Sequence, residues 1–248
     1  ETTYETNFIT SVEPYKFSRR IKVSQESVDR RDTRYQSALS EASKLQYAYV
    51  NTRNRHKFDR FNNAFSTVTA KHLFDYNDSV ALCSASHPTR TSGTVQSNLG
   101  TAGDITDTNI EILTLKMQNQ TDDIGEPMPM GGGHKYIVVP PAKVTKAKKN
   151  IAPEATWEVG TANNTINVWS TTGWTMVTSP FLSAANGGSD TAWFIIDSMY
   201  SPLKEVVFKP VTNTTWYDDD TKAFVYDLEF QHKVGAVDWR GIAGNAGA

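Results

Sequence analysis

Cysteine is nearly absent: Cys83 is the only one in 248 residues. That excludes an internal disulfide framework and any zinc centre built on cysteines. Long apolar runs are missing too. The longest, such as residues 136–139, are a handful of residues, where a membrane helix needs about 20. No span or signal peptide is visible and no membrane partner is expected. Charge of one sign is not in excess: 25 Lys and Arg against 27 Asp and Glu leave −2, which argues against a surface given over to gripping nucleic acid. No internal repeat is found.

What is present describes a folded chain. Hydrophobic residues make up 38%, aromatics 11%, and mean hydropathy is −0.48, as in a globular protein of one large domain or two small ones. Charge is uneven along the chain: residues 1–75 carry 13 cations against 9 anions, the rest 12 against 18. One end could therefore attract the other end of a second copy within the reach of a Debye length. The first residue is Glu1, as expected of a start that is processed, trimmed or incompletely observed.

Tyr4, Phe8 and Val12, then Tyr15, Phe17, Ile21 and Val23, alternate with polar residues around Pro14, which predicts an extended arm or hairpin over residues 2–24. From 32 to about 65 the period lengthens through Tyr35, Ala38, Leu39, Ala42, Leu45 and Tyr49 to Phe58, Phe61 and Phe65, without Gly or Pro. This predicts one long helix, free to bend or stand clear of the core at residues 51–57, where apolar positions lapse. Its other face holds Arg34, Lys44, Arg53, Arg55, Lys57 and Arg60, open to reading as a solvated face, a phosphate-facing surface or contacts with other subunits.

A loop region follows over 66–104, and a second helix is expected after Thr108, capped with Glu111. Residues 131–133 give a glycine turn, residues 135–139 a buried strand ended by Pro140 and Pro141, and residues 143–149 a basic helical stretch. Strands are expected at 165–169, 174–177, 192–196, 205–209 and 223–237. Strands after helices without regular alternation predict an α+β fold.

Few residues suggest chemistry. Ser84, Ser86 and His87, with Asp75 or Asp78 nearby, invite a hydrolase reading, but the Gly-x-Ser-x-Gly elbow is absent. Cys83 reads as a small buried apolar residue. No Gly-Lys-Ser/Thr follows the glycine run, Asp218–Asp220 lack the alternating ligands of a calcium loop, and His56, His72, His87, His134 and His232 show no metal spacing. No catalytic residue, metal or cofactor is expected.

Four tracts in order resemble the major capsid proteins of tailed bacteriophages, the Mu-like major head subunit branch in particular. They are residues 74–88, FDYNDSVALCSASHP, with His87 and Pro88 and the later Gly93 and Asn98; residues 125–130 leading into 135–142, KYIVVPPA, with Pro140 and Pro141; residues 179–182 followed by 191–197; and the ending VGAVDWRGIAGNAGA, with Trp239, Arg240 and Gly241. The resemblance implies a tailed-phage major capsid fold. Its parts would be an extended E-loop over 1–25, a peripheral domain over 26–124 holding the spine helix, an axial domain of mixed sheet and flanking helices over 125–230, and a C-terminal strand and tail over 231–248 returning to the peripheral domain. It implies a non-enzymatic subunit that assembles with itself, as pentamers and hexamers, into an icosahedral virion shell around double-stranded DNA in the bacterial cytoplasm. A portal, and a scaffold, protease or decoration proteins, would be further partners. The arm, through Tyr15, Phe17, Arg19, Arg20, Ile21, Lys22 and Val23, is expected to contact a neighbouring subunit, because a lone hairpin cannot bury its apolar face. The competing readings are a nucleic-acid-binding protein using the helix's basic face and a hydrolase at Ser84 and His87.

Overall fold

The computed structural model describes residues 12–30, 33–68, 70–76, 78–89, 95–122, 125–130, 133–151, 173–200 and 203–248, without the side chains of 33–39, 41 and 42. Tyr4, Phe8, the first two glycines of the 131–133 turn and the strand expected at 165–169 lie outside these residues.

Strand β1 (Lys16–Ser24) leads through a short helix α1 (Gln25–Asp29) into the long helix α2 (Thr33–Asn62), about 45 Å at 1.5 Å per residue. Three two-residue strands follow, β2 (Leu73–Phe74), β3 (His87–Pro88) and β4 (Val95–Gln96), then helix α3 (Asp107–Gln118). The α3 cap is Thr106, not Thr108: its backbone is extended and its hydroxyl accepts from the Asn109 N–H. Asp107 follows in the first turn, where a carboxylate suits the helix dipole. Next come β5 (Lys135–Val139), α4 (Val144–Ile151), β6 (Trp174–Thr178) and β7 (Trp193–Asp197). The chain ends in the hairpin of β8 (Leu203–Asp218) and β9 (Ala223–Ala236), and β10 (Ile242–Asn245).

Two four-stranded sheets organise the molecule. In one, β9 is flanked by antiparallel β8 on one edge and by antiparallel β1 and parallel β2 on the other. In the other, the order is β10-β7-β5-β6. The residues of β5 and β7 alternate between two cores, which is why TAWFIID reads as a continuous apolar run instead of an amphipathic one. Ile137, Val139, Trp193 and Ile195 face α3 and α4, while Val138, Phe194 and Ile196 face Phe61, Leu82, Cys83 and Trp239. Helix α2 serves both sheets. Leu45 and Tyr49 pack on Leu228 and Phe230 of β9, and further along Phe58 and Phe61, with Phe65 in the turn beyond the helix end at Asn62, enter the core of the second sheet.

Sheet membership crosses the boundary expected near residue 230. Strand β8 pairs with β9 and joins β1, whereas β10, from the C-terminal tail, pairs with β7.

Candidate assembly site

Residues of the His-Pro tract and the C-terminal tract, 152 positions apart between His87 and Trp239, meet in one buried node. The His87 ring is 1% exposed and stacks on Trp239 with centroids 4.2 Å apart and planes 6° from parallel. Its Nδ1 lies 2.7 Å from Asp78 Oδ2 and its Nε2 3.2 Å from Asn98 Oδ1. Asn98 is oriented by the backbone: Oδ1 accepts from the Ser84 N–H at 2.8 Å and Nδ2 donates to Leu82 O at 2.7 Å. Pro88 sits beside His87 in the small β3-β4 ribbon.

The Trp-Arg-Gly ending completes the node. Arg240 lies over the Trp239 ring at 4.9 Å, donates from Nε to Thr121 O at 2.9 Å, and pairs with Asp238 at 3.2 Å. Gly241 has φ +79°, and a Cβ there would come within 2.2 Å of Tyr200 O, so only glycine fits. Pro140 and Pro141 work elsewhere: they end β5 and open the turn into α4, where a missing N–H costs nothing.

This geometry removes the hydrolase reading. Both His87 nitrogens face acceptor oxygens of Asp78 and Asn98, whereas Ser84 Oγ accepts from the Ser86 N–H. A nucleophile-base pair needs a hydrogen bond between the two. Cys83 is buried, which pushes its thiol up to about 12, far from the thiolate a nucleophile needs.

The basic face of α2 is also not what its sequence suggests. Arg60 is wholly buried and pairs with Asp75 at 2.5 Å; burial nonetheless raises the Asp75 pKa, outweighing the guanidinium. Arg53 donates twice to Glu205 and Lys57 pairs with it at 3.2 Å. Burial opposes the charge on Glu205, but these bonds prevail and its pKa falls. The stretch 51–57 therefore stays on the body through polar contacts, with His56 6% exposed. Arg55 is an exposed cation.

The arm needs correction as well. Over Lys16–Ser24 it is a single strand, and its own chain covers its apolar side: Phe17 stacks on Phe230 at 5.1 Å, Ile21 joins the Leu45, Leu228 and Phe230 cluster, and Val23 is 5% exposed. The physical reason is β9, whose 14 residues lie far along the sequence and offer a full register to β1. Lys16, Arg20 and Lys22 pair across the sheet with Glu229, Asp227 and Asp218. Tyr15 meets the Phe17 ring edge-on at 4.8 Å. Arg19 is exposed and has no ion-pair partner among the described residues.

Sequence reasoning named Asp75 and Asp78 only as partners in a hydrolase reading, whereas they pair with Arg60 and His87; it missed Glu205 and the contacts of His56, His72 and His232. The one available signal was the lapse of apolar positions at 51–57, which marks a polar contact where a solvated stretch is expected. Among the described residues, no group of three or more His, Cys, Asp or Glu is arranged to hold a metal ion, and no helix is long and apolar enough to cross a membrane.

The fold is that of phage capsid subunits. The mature capsid of bacteriophage PhiM1 superposes with TM-score 0.56 at 11% identity, covering 96% of this chain and 72% of that one. A structure from Mycobacterium phage Patience gives 0.56 at 11%, with 95% and 69% covered. The capsid of Myoviridae phage XM1 gives 0.55 at 10%, with 96% and 74% covered. The sequence matches the phage capsid protein family over residues 8–245, and the chain belongs to that family. It is a structural, shell-forming, non-enzymatic protein of the phage virion. No curated protein matches the sequence significantly.

Proposed function

We propose that the chain is the major head subunit of a tailed phage, forming pentamers and hexamers that close an icosahedral shell around double-stranded DNA in the bacterial cytoplasm. The ending VGAVDWRG supports the Mu-like branch. The observation that carries the reading is the character of the long elements: none of the 16 residues of β8 is buried, and large apolar side chains stand exposed along the two longest elements, Val207, Phe208 and Trp216 on β8, Tyr47 and Val50 on α2. A closed shell repeats unlike contacts around its symmetry axes, and elongated elements with uncovered apolar residues suit such contacts.

In this reading α2 is the spine helix of the peripheral domain, 135–197 lies in the axial domain, and residues 1–25 include the E-loop. The arm's neighbour contact is carried by its outer side, with Arg19, in place of Phe17 and Ile21. Portal, scaffold, protease and decoration proteins are partners of the assembled head. Size-exclusion chromatography with negative-stain microscopy of the purified chain tests this. Closed particles, or discrete pentamers and hexamers, support it; a monomer at every concentration and ionic strength overturns it.

A further inference from the structure

Outside the His87 node, a second cluster of buried titratable groups joins the long helix to the base of the long hairpin. His56 on α2 and His232 on β9 are 6% and 2% exposed, and His56 Nδ1 lies 2.8 Å from His232 Nε2. One of these nitrogens must donate and the other accept. With His56 donating, the remaining His232 Nδ1–H is directed to Glu205 Oε1 on β8, 3.9 Å away. His72, just before β2, stacks on His56 at 4.0 Å and bonds Asp59 at 3.1 Å. Phe17 of β1 lies 4.8 Å from His56 and 5.5 Å from His232, and Phe230 lies 5.2 Å from His232. The pair thus sits between aromatic walls where α2, β1, β8, β9 and the β2 approach meet.

We infer that the His56–His232 pair is an acid-operated catch that holds the base of the β8-β9 hairpin on α2 and releases it when the two rings take up protons. A first proton puts a charge among aromatic rings. A second removes the acceptor on which the 2.8 Å bond depends. Asp59 and Glu205 favour the protonated rings, but burial and the cations outweigh them. Arg55 faces His56, and Arg53 and Lys57 face His232. Glu205 is already committed to Arg53 and Lys57, and Asp59 to His72. Burial, with His72 and His232 nearby, brings the His56 pKa from 6.5 to about 3, and burial lowers that of His232 as well. A histidine depressed in the folded state leaves stability intact above 6.5; the loss begins as pH falls through 6.5 and continues to the folded value.

The inference rests on one subunit and stands or falls independently of shell assembly. Amide hydrogen exchange on the purified full chain, corrected for intrinsic rates and stepped from pH 7 to pH 5, tests it. The opening constant at residues 205–207 and 231–234 should rise about 25-fold from His56 alone, and further with His232, while β5 and β7 change little. The double variant H56N/H232Q, whose amides can bond each other, should lose that rise. Should the variant fail to fold, ring-carbon NMR titration of the unmodified chain decides, with His56 expected to stay neutral at pH 5. Equal loosening of both sheets, an unchanged acid response in a folded variant, or a His56 ring that titrates near 6.5 in the closed chain would each overturn the inference.

Discussion

Asp75 and Asp78 bear more on this fold than any exposed charge, because each is the counterpart of a buried polar ring or guanidinium. Removing one partner of a buried pair leaves an uncompensated charge, at a cost of about 3–5 kcal/mol. Asp75→Ala should lower unfolding free energy by about that much, measured by urea denaturation of the isolated subunit; a change under about 0.5 kcal/mol would show that Arg60 finds other partners. His87→Ala should reduce stability and assembly yield without altering turnover of any substrate, since His87 holds Asp78 and Asn98 in place. A covalent adduct at Ser84 or Cys83 with a broad hydrolase probe would contradict this. At Asp104, hydrogen bonds from Lys146 and Lys143 hold the carboxyl down to about 2. Its folded value is depressed, so its contribution is complete above 3.8 and disappears as pH falls through about 2. Asp104→Asn should therefore lower the melting temperature at pH 7, and the difference should shrink as pH falls through 2 and vanish near pH 1.

At the scale of elements, the arm gives the sharpest reversal. Its period-two alternation marks a strand correctly, but alternation says which face is apolar and nothing about who covers it. The cover is β9, some two hundred residues later, and a pairing that distant leaves no local trace. Phe17→Ser with Ile21→Ser should now destabilise the subunit itself by about 2–4 kcal/mol, read from its denaturation midpoint. If the subunit melts normally and only assembly fails, the arm's apolar side belongs to a neighbour after all. Arg19→Ser should leave subunit stability unchanged and weaken assembly, most visibly at low salt. The long helix is legible because no breaker interrupts residues 33–62, and its apolar steps are regular at both ends. Its middle is not, since His56, Arg53 and Lys57 bind the body through polar groups that a hydrophobic period cannot register. The α3 cap lies two residues from its expected place because Thr106 and Thr108 are equivalent in composition, and only backbone geometry separates them.

For the molecule as a whole, the order of the four tracts is informative in itself, and the fold supplies a reason for two of them: the His-Pro tract and the Trp-Arg-Gly ending are the halves of one node. What the sequence could not convey is how the strands are shared, since β10 directly follows β8 and β9 yet belongs to the other sheet. On the proposed function, the outer faces of the long elements close the shell, while the polar nodes hold the subunit together. Cryo-electron microscopy of particles assembled from the purified chain shows which faces meet. The expected result is a closed icosahedral shell whose subunit contacts fall on Arg19 and the exposed side chains of α2 and β8, with His87 and Trp239 still stacked within each subunit. Particles that never close, or contacts made through an opened His87–Trp239 node, would contradict it.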